Sequence, residues 1–117
     1  MNGFGKHIRS LREDLSKDSK EFSVRRVAIR IKVEPAFLSK VEREVVPPPS
    51  EGKIIALAEV LGADQDVLLA MAGKVSSDLL KVIKDRPVLF AELIRKLKAE
   101  PDHAVLRVVR EVKDGEW

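Results

Sequence analysis

An all-α fold is what this sequence of 117 residues predicts, on three observations. Apolar residues recur three and four apart along most of the chain, prolines and glycines fall between those runs, and no stretch alternates in the period-two pattern of a half-buried strand. Five short helices are expected over residues 1–73, followed by about three more over residues 74–117.

Each element has its own signal. Phe4, Ile8, Leu11 and Leu15 form one stripe of an amphipathic first helix, with Arg9, Arg12 and Glu13 off it. The polar run Lys17 to Glu21 interrupts the pattern, and Ser23 suits an N-cap because its hydroxyl can accept from a first-turn amide. Val24, Val27, Ala28 and Ile31 make the stripe of the second helix. Val33-Glu34-Pro35 marks a turn, with proline pre-set for the first position of the third helix, from which Leu38 and Val41 face inward. The prolines of Val45-Val46-Pro47-Pro48-Pro49-Ser50 remove amide donors and force an extended connector. Ser50 opens a fourth helix carrying Ile54, Ile55, Leu57, Ala58 and Leu61, which Gly62 stops; Asp64 caps a short fifth, Gln65 to Ala72. Beyond Gly73, Ser76 opens a helix with Leu79, Leu80 and Ile83. Pro87 opens one with Leu89, Phe90, Leu93, Ile94 and Leu97, and Pro101 opens the last, with Ala104, Val105, Val108, Val109 and Val112.

Composition excludes several chemistries. Apolar residues make up 44% and charged residues 35%, and a chain of this size buries about two-thirds of its unfolded surface, enough for a core without staples. Four Phe and one Trp leave that core mainly aliphatic. Without cysteine there is no disulfide, thiolate-zinc or thiol chemistry, and a reducing cytoplasm is allowed. Met1 to Asp14 interleaves Lys6, His7, Arg9 and Arg12 with no signal-like apolar run, and the longest charge-free stretch, Val67 to Gly73, is too short for a bilayer. A soluble, cytoplasmic protein is expected. His7 and His103 lie far apart with no metal or triad motif beside them, and Gly3-Phe4-Gly5 lacks the strand that precedes a phosphate loop. The chain is therefore expected to be no enzyme and to carry no cofactor or metal. Exposed aromatic platforms for unpaired RNA bases are also lacking.

Net charge is +3, unevenly spread: residues 1–46 hold 11 Lys and Arg against 7 Asp and Glu, residues 47–73 hold 1 against 4, and residues 74–117 hold 10 against 8. The basic excess sits in the N-terminal third, as a phosphate-facing surface requires, although a solvated surface with a mild bias has the same balance.

Ser23-Val24-Arg25-Arg26-Val27-Ala28, then Val33-Glu34-Pro35-Ala36-Phe37-Leu38-Ser39-Lys40-Val41-Glu42-Arg43, closely resembles the helix-turn-helix of the phage-repressor-like family of bacterial regulators, also called the xenobiotic-response-element family. Leu11-Arg12-Glu13 before it, and Pro48-Pro49-Ser50 and Leu57 to Asp64 after it, resemble the flanking helices of the same domain. The likeness covers about residues 4–72. It implies a lambda-repressor-like DNA-binding domain in a transcriptional regulator, a repressor by expectation, whose partner is a double-stranded, pseudo-palindromic operator.

Carried over by position, the resemblance makes Ala36, Phe37 and Lys40 base-facing and Val33, Leu38 and Val41 the anchors of the recognition helix. Lys40 can donate to guanine O6 and N7, Ala36 and Phe37 can touch thymine methyl groups, and Glu34 can accept from cytosine N4 or repel phosphate. Phe37 is equally suited to the core. Arg25 and Arg26, in the first turn of the second helix, and Arg43 after the third are candidate phosphate contacts. Arg12 and Glu42 match the family's structural salt bridge.

The chain also departs from the pattern. Val24 stands where the family usually has a glutamine that braces phosphate, Lys32 and Glu44 where it has glycines, and Glu34 where it has a serine cap. Nine residues, Asp14 to Phe22, separate the first two helices where fewer are usual. Residues 74–117 lie outside the resemblance, and their apolar faces need cover from the first domain or another chain. A homodimer spanning two half-sites is expected. The alternative is an antitoxin-type module that autoregulates its promoter and binds a toxin through these helices. Trp117 reads as a frayed end.

Overall fold

Caps and stripes decide where the helices of this chain begin and end. The computed structural model describes residues 3–117; Met1 and Asn2 of the expected N-terminal domain lie outside the described residues. Helix α1 runs Phe4–Ser16, α2 Val24–Ile31, α3 Pro35–Glu42, α4 Glu51–Leu61 and α5 Gln65–Met71. Three more follow: α6 Ser77–Asp85, α7 Pro87–Leu97 and α8 Asp102–Asp114. No strand occurs among the described residues.

The Ser23 hydroxyl accepts from the Arg26 amide, and the Asp64 carboxylate accepts from the Asp66 and Val67 amides at 2.8 and 3.2 Å. Such side chains occupy amide donors that a helix start leaves without an intrahelical partner. The separation between α1 and α2 is shorter than expected. Asp14, Leu15 and Ser16 belong to α1, and a single 3-10 turn, Lys20–Phe22, capped by the Ser19 hydroxyl, fills much of the rest. Leu15 explains the extension, because it packs partly buried against the core and completes the stripe.

The chain divides into two units, one ending at Ser76 and the other spanning Ser77–Trp117. The division falls three residues after the expected end at Gly73. Gly73 is left-handed and turns the chain so that the Lys74 amide donates back to the Leu69 carbonyl, and Ser76 is buried. The core of the first unit is supplied by Phe4 and Ile8 from α1, by Val27, Ala28 and Ile31 from α2, and by Leu38 and Val41 from α3. Helix α4 adds Ile54, Leu57, Ala58 and Leu61, and α5 adds Leu68 and Leu69. In the second unit, α6, α7 and α8 bury no residue fully, and Val88 is 71% and Ile94 56% exposed. Trp117 is exposed, its indole N–H donating to the Val112 carbonyl. No helix of the described residues is long and apolar enough to cross a membrane.

Candidate nucleic-acid interface

Helix α3 has eight residues and two clearly different sides. At about 100° per residue, Leu38, Val41 and Glu42 point one way and are buried, whereas Ala36, Lys40 and Arg43 point the other way and are exposed. Phe37 and Ser39 occupy the two rims. Phe37 is 36% exposed and so is not a core residue, while Ser39, which sequence reasoning passed over, is half-buried. Glu34 is exposed at the N-cap position, where its side chain makes no cap bond, so its carboxylate stands beside the start of α3.

The inner side of α3 is held by charge as well as by packing. Arg12 Nε donates to Glu42 Oε2 at 2.7 Å and its Nη2 to Glu42 Oε1 at 2.9 Å, while Nη1 donates to the Phe22 carbonyl at 3.1 Å. Both side chains are nearly inaccessible, at 9% and 5% exposure. The hydrogen bond to Glu42 holds the Arg12 guanidinium above its ordinary pKa, against the desolvation that burial imposes. A planar guanidinium facing a carboxylate in this two-pronged way fixes direction as well as distance between α1 and α3.

The turn that joins α2 to α3 has its own fastening. Lys32 is left-handed at φ 62, and the amides of Lys32 and Val33 fold back to the Ile29 and Ala28 carbonyls. Lys53, in the first turn of α4, donates from Nζ to the Ile31 and Lys32 carbonyls at 2.9 and 3.2 Å. An ammonium at a helix C-terminus is favoured by the macrodipole and satisfies carbonyls left without partners. Lys53 was not singled out from the sequence. Its one signal there is a basic residue at the start of its own helix, where the same dipole opposes it.

The candidate phosphate contacts differ in surroundings. Arg25, Arg26 and Arg43 are all exposed. Arg26 lies 3.9 Å from the Glu21 carboxylate, a solvent-exposed pairing that a phosphate could displace at little cost. Neighbouring Arg30 lies over the Phe22 ring, 5.2 Å from its centroid, and donates to the Glu21 carbonyl. Between the end of α1, the 3-10 turn and the start of α2 is an open hollow of about 600 Å³, lined in part by Lys20, Ser23, Val24 and Arg26. Val24 offers it only a hydrocarbon surface.

A family model described as a helix-turn-helix domain matches residues 4–71. No curated protein and no solved structure matches the chain significantly. The matched span contains α1 through α5, more than half of the chain, with the α2–α3 hairpin near its middle. An open, partly basic outer face on the second helix of that hairpin, together with this match, identifies the chain as a member of the helix-turn-helix domain family and a DNA-binding regulator.

Proposed function

We propose that the chain is a phage-repressor-like regulator of the xenobiotic-response-element type, a cytoplasmic repressor that reads a pseudo-palindromic operator as a homodimer. Each copy inserts α3 into the major groove, with Ala36, Phe37 and Lys40 toward base edges and Glu34 beside them. Arg25 and Arg26 at the start of α2 and Arg43 after α3 hold the flanking phosphates. The observation that carries this reading is the division of α3 into a buried side and an exposed side bearing Ala36, Lys40 and Arg43. The ion pair between α1 and α3 at the positions where the resemblance calls for one supports the subtype.

Selection of bound duplexes from a random library tests the proposal. The wild-type chain is expected to recover a two-fold symmetric motif. Lys40→Ala should lose about 1–3 kcal/mol on that motif and relax preference at one position, whereas Arg43→Ala should weaken all duplexes alike and lower the salt slope by about 1. Equal recovery of every duplex by the wild-type chain rejects the operator reading.

A second reading is favoured by one observation, the lack of fully buried residues in α6–α8. In it, those helices bind a toxin, and the protein represses its own promoter.

A further inference from the structure

The end of α3 is tied to the start of α1 by Glu44. Glu44 adopts a left-handed backbone at φ 61, which costs a side-chain-bearing residue where glycine would sit without strain. Its carboxylate reaches across the fold, and the Lys6 amide donates to Oε2 at 3.1 Å. Glycine at position 3 has no side chain with which to cap α1, and the first turn of α1 holds no acidic residue. Glu44 thus brings negative charge and an acceptor to a helix start that has neither of its own.

Gly5 makes the tie possible. A Cβ there would collide with the Val41 carbonyl oxygen, and would stand 2.7 Å from Glu44 Cγ and 3.0 Å from the Glu42 carbonyl oxygen. The first turn of α1 therefore lies directly against the last turn of α3, the turn that carries Lys40 and leads into Arg43.

We infer that Glu44 is a positioning residue for DNA reading: its cap on α1, seated against Gly5, sets the attitude of the last turn of α3 and so of Lys40 and Arg43. This rests on the proposed groove-reading role of α3. The left-handed strain at Glu44 is then offset by a capping bond that glycine could not make.

The test compares Glu44→Gly and Glu44→Gln with Lys32→Gly in the full chain. Among the described residues Lys32 is the other left-handed residue with a side chain, and it lies in the turn between α2 and α3. For each variant, melting temperature is measured, together with affinity for the best duplex selected by the wild-type chain and for a scrambled duplex of equal length. Lys32→Gly is expected to raise the melting temperature and keep the affinity ratio. Glu44→Gly should lose about five- to tenfold in that ratio, the low end of what one base contact is worth, at temperatures where it stays folded. Glu44→Gln, which keeps an acceptor, should restore most of it. A Glu44→Gly variant that behaves like Lys32→Gly overturns the inference while leaving groove reading intact. A wild-type chain with no duplex preference overturns both.

Discussion

Arg12 and Glu42 show how much can rest on two side chains. Their paired hydrogen bonds lie in a nearly solvent-free position, so removing one partner strands a charge that burial has stripped of water. Arg12→Met is expected to destabilise the fold by about 3–5 kcal/mol, read as a lower midpoint in urea. The double variant Arg12→Met with Glu42→Leu should recover a large part of that loss, because no ion is then left unpaired; strictly additive losses would show that the two are not coupled. The raised pKa of Arg12 has a definite sign. A cation held more tightly in the folded state stabilises it fully below the unfolded pKa and stops doing so only in strong alkali, so this pair adds no slope to stability near neutral pH through Arg12.

Helices α2 to α5 all finish in the same way, with a left-handed residue and two amides folded back over the last turn. Two of the four closing residues are Gly62 and Gly73, and two are Lys32 and Glu44. The first kind is legible in a sequence, because a glycine after an apolar run signals a stop. The second kind is legible only through the resemblance, which expects glycine at both positions. The ends marked by Ser23, Asp64 and Pro35 were readable because capping is local chemistry. The reach of Lys53 back to Ile31, 22 positions away, and of Glu44 to Lys6, 38 positions away, was not, because those bonds exist only once the helices have packed. Lys53→Met keeps the aliphatic stem and removes the ammonium. It should cost about 1–2 kcal/mol, seen as a shifted urea midpoint with an unchanged slope.

The molecule as a whole falls into a part that makes its own core and a part that does not. Among the described residues, the thirteen buried apolar residues of the core all come from α1–α5, so a fragment ending at Ser76 is expected to melt cooperatively, as followed by circular dichroism. The 41 residues from Ser77 onward sit near the size below which a chain usually needs a disulfide, a metal or a second copy to hold together. Light scattering at micromolar concentration should therefore give a dimer mass for the full chain and a monomer mass for the fragment. A monomeric full chain, with and without the selected duplex, would reject the homodimer. The helical pattern could be read from the amino acids because apolar periodicity reports which face each helix buries. What covers the faces of α6–α8 could not, since an amphipathic stripe has the same form whether its partner is the same chain or another.

Eight residues rising about 1.5 Å each make α3 about 12 Å long, the height of about three to four stacked base pairs. A word that short recurs by chance about once in every hundred or so base pairs, far too often to mark a single place among the millions of competing positions a genome offers. On the proposed operator reading, rarity comes from joining two such words at a fixed spacing, and the length of this one helix is the arithmetic reason.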